Sequence, residues 1–490
     1  MLLKGGNAAD AAVASAIALT VVEPVMNGIG SDAFALVWDG SSLHGLNGSG
    51  RSPASWTPGR FAPRDLMPTE GWDAVTVPGA VSAWAALSAR FGRLPFHELF
   101  QPAVEYAREG FPVSPVVAGQ WQAQVPRLEH APGFAEAFLR NGRAPLAGEW
   151  FRFPDQAATL EQIAETKGES FYRGALAERI AAFAGGDGLT TDDLGTHQPD
   201  WVEPASQTYR GFRVHEIPPN GQGLAALIAL GILECTDFAS LACDSADSLH
   251  LQIEAMKLGF ADVYRHVSDP ATMRMRWQDL LSPVYLQGRA QLIDAARALR
   301  PVAGPAPTGT VYLTAADASG MMVSFIQSNY MGFGSGLVVP GTGISLHNRG
   351  AGFRLEPGHP NEVGPRKRPF HTIIPGFVTR DERPVMSFGV MGADMQPQGH
   401  VQMVTRVVDH RQNPQAAVDA PRWKIALDGS LLLESGVRAE TARELARRGH
   451  LVRITSPDSL EFGAAQIIYA LEHGYVAASE PRRDGQAVGF

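Results

Sequence analysis

A change of sequence character near residue 310 constrains the fold of this chain more than any other feature. Residues 300–309 read Arg-Pro-Val-Ala-Gly-Pro-Ala-Pro-Thr-Gly, which contains few large apolar side chains. This composition predicts an exposed, mobile linker. Residues from about 78 to 300 have mainly helical patterns, whereas strand patterns dominate after residue 309. We therefore expect a helix-rich part, 1–309, and a strand-rich part, 310–490.

The sequence predicts a buried N-terminal helix and several antiparallel strands. Residues 7–22 are rich in Ala, Val, Ile and Leu, with Asp10 as their only charge, which is typical of a buried helix. Further helices are predicted near 401–409 and 440–448. Strand patterns occur at 34–38, 43–46, 311–317, 321–327, 345–346, 372–379, 385–389 and 465–470.

Composition and charge exclude several classes of function. The 490 residues are 45% hydrophobic and 19% charged, as in an ordinary globular protein. The net charge is −9 and the densest basic run spans only residues 366–368, which argues against a nucleic-acid partner. The chain contains no run of about 18 apolar residues, so we expect no membrane association. The N-terminus lacks a signal-peptide pattern, which predicts a cytoplasmic location.

Cysteine and histidine patterns predict neither a metal site nor another cofactor. The two cysteines, Cys235 and Cys243, are expected to be reduced, and two thiols alone cannot form a zinc site. The 14 histidines show no His-Glu-x-x-His pattern. Neither a phosphate-binding loop nor a Gly-x-Ser-x-Gly elbow at a strand-to-helix turn is present.

The end of the predicted linker has the chemistry of an N-terminal nucleophile. A threonine hydroxyl needs an adjacent base, and cleavage between Gly309 and Thr310 would free an α-amine with a pKa of about 8 to act as one. Thr308 and Thr314 are rival nucleophiles, but the first lies on the linker and the second lies inside a strand. On pattern alone, the simpler interpretation is that Thr310 only begins a strand, where threonine is favoured.

Two glycine-rich segments are candidates for contact with a ligand. Residues 327–336 combine polar side chains with alternating glycines, which lets backbone and hydroxyl groups approach a bound molecule. Residues 388–394 follow a predicted strand, and their small side chains leave N–H groups available to an oxyanion. Tight turns between strands are the alternative, and the pattern alone favours them.

Collinear segments along nearly the whole chain resemble the γ-glutamyltransferases. They are Gly5–Val13, Val22–Pro24, Gly28–Gly30, Val77–Gly79, Gln101–Ala103, Pro340–Gly343, Lys367–Pro369 and Asp419–Arg422. The resemblance implies an α+β fold, the four-layer αββα sandwich of the N-terminal-nucleophile hydrolases. It also implies cleavage into a large subunit, 1–309, and a small subunit, 310–490, that remain one intertwined domain. Family members usually carry further residues before the Gly-Gly-Asn segment.

The resemblance also assigns catalytic roles. It implies that the chain is cut between Gly309 and Thr310, and that Thr310 is the nucleophile. Ser328 matches the threonine that orients the nucleophile and keeps its hydroxyl. Gly392 and Ala393 match the paired glycines of the oxyanion hole, where Ala is tolerable if its φ is negative.

The departures from the family pattern fall on substrate recognition. Tyr330, with Asn329 beside it, replaces an asparagine that helps to hold the substrate amino group. Arg349 and Gly352 replace the acidic or amide pair that grips the same group. A cation in place of an anion would repel a substrate ammonium. Val311, in addition, occupies the position where the family typically has a second threonine.

The positions that hold the substrate carboxylate differ as well. His371 and Thr372 match two serines, and Ser49 matches the family arginine, with Arg51 two residues away. Arg51 and Arg349 are suited to bind a carboxylate in a bidentate manner. Surface salt bridging is an equally good interpretation of both arginines.

Together these features predict a self-processing threonine amidohydrolase of the branch that includes cephalosporin-acylase-like proteins. It would hydrolyse γ-glutamyl or glutaryl-like amides of small molecules through an acyl-enzyme. One alternative is a true γ-glutamyl transferase or glutathione hydrolase. The other is a non-catalytic relative that binds a metabolite and is never processed. The expected partners are the amide substrate and the two subunits of one precursor; pairing of processed units into a homodimer stays open.

Overall fold

The computed structural model describes residues 1–300 and 309–490, so nearly all of the predicted linker lies outside the described residues. The chain forms two compact units. The first comprises Met1–Val202 and Thr308–Ile373, and the second comprises Glu203–Pro307 and Ile374–Phe490. Each unit therefore contains residues from before and from after position 310. The boundary between large and small subunits stays a prediction.

The strands of the described residues are, in chain order, β1 (Asp32–Trp38), β2 (Leu43–Asn47), β3 (Phe111–Pro112), β4 (Trp150–Phe151), β5 (Asp200–Val202), β6 (Ala205–Tyr209), β7 (Phe212–Glu216), β8 (Gly309–Ala316), β9 (Met322–Tyr330), β10 (Val338–Val339), β11 (Ile344–Ser345), β12 (Gly376–Arg380), β13 (Arg383–Met391), β14 (Trp423–Ile425), β15 (Leu431–Leu433), β16 (Val452–Ile454), β17 (Ala464–Ala470) and β18 (Tyr475–Ser479).

The α-helices are α1 (Ala8–Val22), α2 (Pro58–Phe61), α3 (Ala80–Phe91), α4 (Gln101–Glu109), α5 (Pro115–Leu128), α6 (Phe134–Phe138), α7 (Pro154–Glu165), α8 (Glu169–Arg173), α9 (Ala175–Ala184), α10 (Thr191–Gly195), α11 (Gly223–Glu234), α12 (Ala246–His266), α13 (Pro283–Ala290), α14 (Met395–Val408), α15 (Pro414–Asp419) and α16 (Ala439–Arg447). Short 3₁₀ helices occur at Leu2–Lys4, Trp72–Ala74, Phe96–Phe100, Phe238–Ser240, Pro270–Thr272, Trp277–Leu281 and Arg349–Gly352.

The first unit is a helical layer on an antiparallel sheet. The strand order is β5-β2-β1-β9-β8, and every pair is antiparallel. Helix α1 packs against β8 and β9 and contacts α3 and α4 on its other sides. Its start is fixed by a capping box, in which the Asn7 side chain accepts from the Asp10 N–H and the Asp10 carboxylate accepts from the Asn7 N–H. The predicted buried helix at 7–22 is confirmed.

The second unit repeats this two-layer arrangement. Its main sheet has the strand order β18-β17-β13-β12-β7-β6, again antiparallel throughout. Helix α11 packs on β6 and β7, helix α14 packs on β13, and α12 lies against α11. A small sheet, β14-β15-β16, pairs β15 and β16 in parallel.

The described residues between 78 and 300 are mainly helical, as predicted, but the hairpin of β6 and β7 was not predicted. The strands read Ala-Ser-Gln-Thr-Tyr and Phe-Arg-Val-His-Glu, and their mixed polar composition gives a weak local strand signal. Strand β7 exists because it pairs with β12, which lies far along the chain. Tertiary pairing therefore decides this region.

Two predicted boundaries are also wrong for reasons that involve proline. The strand predicted at 372–379 begins only at Gly376, because Pro375 has no N–H to donate to a sheet. The helix predicted near 401–409 begins at Met395, because Pro397 lies in its first turn, where an N–H has no partner within the helix. The strands predicted directly after the linker are confirmed as β8 and β9.

Two expectations about thiols and membranes can also be compared with the described residues. Cys235 and Cys243 are both free thiols, as expected. No helix in the described part of the chain is both long and apolar enough to cross a membrane.

Aromatic rings fill the helical side of the first unit. Trp121 is fully buried and lies between Phe138, Phe151 and Phe333, with ring centroids 5.7, 5.0 and 5.6 Å away. Such edge-to-face packing adds to the free energy gained by burying the ring surface.

We expect replacement of Trp121 to destabilise the protein strongly. Trp121→Ala removes the centre of this cluster and should lower the free energy of unfolding by about 3–5 kcal/mol. Trp150→Ala is the matched control, because Trp150 is 60% exposed. Its loss should be about 1 kcal/mol or less. Denaturant or thermal unfolding measures both, and equal losses would contradict this account of the core.

Candidate active site

A register shift between β8 and β9 places Thr310. Gly309 pairs with Tyr330, whereas Val311 pairs with Gln327, so two residues of β9, Ser328 and Asn329, lie opposite Thr310 alone. This is the count of a β-bulge, a device found next to active sites because it redirects a side chain. Thr310 and Ser328 are both fully buried.

The Gly309 carbonyl oxygen accepts hydrogen bonds from two hydroxyl groups. Thr310 Oγ1 donates to the Gly309 oxygen at 2.7 Å, and Ser328 Oγ donates to the same oxygen at 2.7 Å. The two hydroxyl oxygens are 3.2 Å apart, and the Tyr330 N–H donates to Ser328 Oγ at 2.9 Å. Two donors on one carbonyl oxygen stabilise negative charge there and make its carbon more electrophilic.

The space around residue 309 fits glycine alone. A Cβ at Gly309 would lie 1.8 Å from Met26 Sδ, far inside van der Waals contact. The absence of a side chain therefore allows the carbonyl of residue 309 to lie under the two hydroxyls.

The residues next to Ser328 on β9 are constrained as well. Tyr330 has a φ of +76°, which is rare for a bulky residue and costs free energy. Asn329 Oδ1 accepts from Ser31 Oγ at 2.8 Å, so this side chain is held within the protein. Asn329 and Tyr330 are both candidate substrate residues, and Tyr330 contacts the guanidinium of Arg349.

Arg349 is a buried cation stacked on Tyr330. It is 1% exposed, and its guanidinium lies 4.8 Å from the Tyr330 ring centroid. Nη1 donates to Thr372 Oγ1 at 2.7 Å. Within the described residues, Nε and Nη2 have no hydrogen-bond acceptor. Burial lowers the Arg349 pKa to about 10, opposed by the negative charge of Asp32, so the group is charged at neutral pH.

Asp32 is a buried carboxylate that sequence analysis did not single out. It lies at the start of β1, directly opposite Ser328 on β9. Oδ1 accepts from the N–H groups of Gly79 at 2.9 Å and Gly50 at 3.3 Å. Oδ2 lies 3.1 Å from His371 Nε2. A charged residue at the start of an otherwise apolar strand was the only available signal.

Backbone N–H groups determine the tautomers of the two histidines beside Asp32. His371 Nδ1 accepts from the Ile373 N–H, and His347 Nδ1 accepts from the Arg349 N–H. In the neutral imidazoles both protons therefore lie on Nε2. His371 Nε2–H donates to Asp32, and His347 Nε2 lies 3.6 Å from Asp32 Oδ1.

The buried charges around Asp32 shift several pKa values. Burial lowers the pKa of His347 to about 3 and that of His371 well below its ordinary value, and the Arg349 charge lowers both further. Burial raises the Asp32 pKa to about 7, opposed mainly by Arg349. The two imidazoles are therefore neutral, and Asp32 is close to its titration range at neutral pH.

Arg51 lines a separate cavity of about 370 Å³ in the first unit, together with Val77, His197, Asp200 and Arg366. Its side chain is 42% exposed, and Nη2 lies 4.0 Å from Asp200 Oδ2. Surface pairing and contact with a ligand in the cavity are both compatible with this position.

Gly392 and Ala393 form a turn after β13 in the second unit. Their φ angles are +128° and +55°. The condition that Ala393 has a negative φ is therefore not met, and its Cβ is strained in this conformation. The Gly392 carbonyl accepts from the Met395 N–H, and the Ala393 carbonyl accepts from Gln222 Nε2. The first bond fixes the peptide plane that carries the Ala393 N–H.

A cluster of His250, Glu254 and His450 in the second unit has the spacing of metal ligands. The two histidines already form a hydrogen-bonded chain with Lys257. Lys257 Nζ lies 3.5 Å from His450 Nδ1, and His450 Nε2 lies 2.8 Å from His250 Nδ1. Lys257 also pairs with Glu254 at 2.7 Å. The ammonium group thus supplies the positive charge at this cluster, and the geometry does not call for a metal ion.

Comparisons with known proteins agree along the entire chain. A family model described as Gamma-glutamyltranspeptidase matches residues 1–490. The chain is 37% identical to the glutathione hydrolase-like YwrD proenzyme of Bacillus subtilis (strain 168) and 36% identical to the oxamate amidohydrolase proenzyme of Klebsiella pneumoniae. Each match covers 100% of this chain and 95% of the relative.

A solved structure is also closely similar. The cephalosporin acylase from Bacillus halodurans is 49% identical and superposes with a TM-score of 0.95. The match covers 99% of this chain and 92% of the acylase.

Proposed function

Because this chain belongs to the γ-glutamyltranspeptidase family, we propose that it is a self-cleaving amidohydrolase that removes carboxyl-bearing acyl groups, such as glutaryl, from small-molecule amides. The family match and the proenzyme relatives confirm the predicted class of enzyme, and the similarity to a solved acylase confirms the predicted α+β fold. The observation that carries the substrate assignment is the buried Arg349 guanidinium with two unused N–H donors.

In the proposed maturation, Thr310 attacks the peptide bond that precedes it. Thr310 Oγ1 adds to the Gly309 carbonyl carbon, and Ser328 stabilises the negative charge that develops on the carbonyl oxygen. When this adduct collapses, the Gly309–Thr310 C–N bond breaks and the amide nitrogen takes the hydroxyl proton. Water then hydrolyses the resulting ester, which leaves a carboxylate on Gly309 and a free α-amine on Thr310.

In the proposed turnover, the free α-amine of Thr310 acts as the base. It accepts the Oγ1 proton as the hydroxyl attacks the substrate amide, and it donates that proton to the leaving amine. Water then hydrolyses the acyl ester and regenerates the hydroxyl. Gly392 and Ala393 stay the predicted donors to the oxyanion.

Arg349 is proposed to select the acyl group. Its Nε–H and Nη2–H lie in the fork geometry that holds a carboxylate in a bidentate manner. A buried cation opposes the ammonium of a γ-glutamyl group, since two like charges at low dielectric repel strongly. Thr372 positions Arg349 through its Nη1 bond, and His371 contacts Asp32, so we assign both residues a supporting role.

The names of two relatives suggest further substrates for the same hydrolysis assay. One is named for glutathione hydrolysis and the other for oxamate, an amide that carries its carboxylate directly on the acyl carbon. A cytoplasmic location and pairing of processed units into a homodimer also stay predictions. Arg51 and Asn329 likewise stay predicted substrate residues.

We expect the sterics at residue 309 to control self-cleavage. Thr310→Ala should remain a single chain with no activity, because it lacks the attacking hydroxyl. Gly309→Ala should slow cleavage by at least about tenfold, because a shift of the carbonyl misplaces it under the hydroxyls. Met26→Ala in the same chain should restore cleavage by removing the clash at Sδ. Intact mass against time measures all three.

Gly288→Ala is the control for these variants, because a Cβ at Gly288 meets no atom within 4 Å. It should cleave at the wild-type rate. Normal cleavage of Thr310→Ala would show that the nucleophile is misassigned.

We expect the mature enzyme to prefer an acyl carboxylate without an α-amine. Glutaryl-p-nitroanilide should be hydrolysed with a kcat/KM at least about tenfold above that of γ-glutamyl-p-nitroanilide or butyryl-p-nitroanilide, because the carboxylate gains a charged, bidentate contact. Arg349→Met should remove the preference for glutaryl over butyryl. Oxamate in the same panel tests the shorter acyl group.

Arg354→Met is the matched control, because Arg354 is exposed on the same segment. It should retain the glutaryl preference. A preference for γ-glutamyl over glutaryl substrate in the wild type would instead support the γ-glutamyl transferase or glutathione hydrolase alternative.

A further inference from the structure

The buried charges next to the candidate acyl site are one cation and one carboxylate. Arg349 and Asp32 are 1% and 0% exposed. Among the described residues, Asp32 contacts the neutral imidazoles of His347 and His371, and no ion pair joins it to Arg349 within 4.0 Å. The carboxylate therefore accepts no hydrogen bond from the guanidinium, and Arg349 Nε and Nη2 stay available to another acceptor.

A bound acyl carboxylate changes this charge balance. The buried site then holds two carboxylates and a single guanidinium, and like charges in a buried region oppose each other's ionisation. The cost of a second buried anion is removed if one proton enters the site with the substrate.

We propose that binding of the substrate carboxylate at Arg349 is coupled to uptake of one proton by the Asp32–His371 pair, which makes Asp32 a specificity-determining positioning residue. This inference rests on the proposed function. The Asp32 carboxylate takes up the proton, because His371 Nε2 already carries one and His371 Nδ1 accepts from the Ile373 N–H. Asp32 Oδ2 and His371 Nε2 are 3.1 Å apart, so the two groups titrate as a unit.

Few other charged or titratable groups near Asp32 could take up the proton in its place. His347 and His371 face its two oxygens, and Arg349 and Arg368 are the cations that act on it. Arg368 already pairs with Asp200.

Two neutral contacts complete these surroundings. The N–H groups of Gly79 and Gly50 donate to Oδ1, whereas Oδ2 accepts only the His371 Nε2–H among the described contacts, so Oδ2 is the oxygen that gains the proton. Tyr172 is a further titratable group that interacts electrostatically with Asp32, and burial raises the Tyr172 pKa, so this phenol stays neutral.

The direction of the effect follows from the state of Asp32 in the free enzyme. Burial raises the Asp32 pKa to about 7, so the pair is largely deprotonated at pH 8 and largely protonated at pH 6. If binding of the substrate carboxylate requires the protonated pair, its affinity at pH 6 is therefore close to its maximum. Above pH 7 it weakens by a factor that approaches about tenfold per pH unit.

Calorimetric titration of the mature wild-type enzyme with glutarate tests the coupling directly. Measurement at pH 8 in two buffers with different ionisation enthalpies gives the number of protons exchanged. We expect uptake of about one proton at pH 8 and close to none at pH 6. Glutarate binding without proton uptake at pH 8 overturns the inference and leaves the proposed function standing.

Kinetics with a variant provide the second measurement. Asp32→Asn mimics the protonated pair and retains an oxygen for the Gly79 and Gly50 N–H groups. In this variant the ratio of the KM for glutaryl-p-nitroanilide to the KM for butyryl-p-nitroanilide should be independent of pH between 7 and 9, whereas the wild-type ratio should rise. Asp65→Asn, at an exposed position, should behave like the wild type.

Two comparisons separate the inference from other effects. The Thr310 α-amine also titrates near pH 8, but it affects glutaryl and butyryl substrates alike, so only the ratio of their KM values reports the coupling. A pH-independent ratio in the wild type overturns the inference. If glutarate does not bind and glutaryl is not preferred to butyryl, the proposed function fails and the inference fails with it. The pH dependence of this ratio in the wild type decides the matter even if Asp32→Asn does not fold.

Discussion

The register shift between β8 and β9 is the constraint on which the rest of the candidate site depends. With regular pairing continued from Val311 and Gln327, Thr310 would face Ser328 and Gly309 would face Asn329. The extra residue in β9 instead pairs Gly309 with Tyr330. This brings both hydroxyls to the Gly309 carbonyl and gives Tyr330 its positive φ. The strain at Tyr330 is thus part of the same arrangement that holds the proposed scissile bond between Gly309 and Thr310.

Sequence reasoning predicted most of the side chains in this region, because a collinear resemblance assigns positions one by one. Thr310 and Ser328 lie within hydrogen-bond distance, and Arg349 contacts both Tyr330 and Thr372. Asp32 was missed because its importance comes from long-range burial, which brings together chain segments that no local pattern connects. The bulge was missed for a related reason, since a period of two residues says nothing about where one strand gains an extra residue.

The same contrast holds for the fold. Helix α1 could be predicted because its apolar composition and its Asn7 and Asp10 cap are local. The hairpin of β6 and β7 could not, because its short, mixed-polarity strands are stabilised by pairing with β12. Strand formation depends on partners far along the chain more than helix formation does, whereas sequence patterns report only on residues that are close along the chain.

The contacts of Asp32 disfavour an ammonium site at this buried carboxylate. An ammonium needs acceptor oxygens, but Oδ1 receives two backbone N–H groups and Oδ2 receives the His371 Nε2–H. Because the Nδ1 atoms of His347 and His371 already accept backbone N–H groups, neither imidazole offers a replacement acceptor there. Arg349 Nε and Nη2, by contrast, are buried donors that have no acceptor in the described part of the chain, and they suit an anion. The network thus supports the proposed preference for an acyl group that carries a carboxylate and lacks an amine.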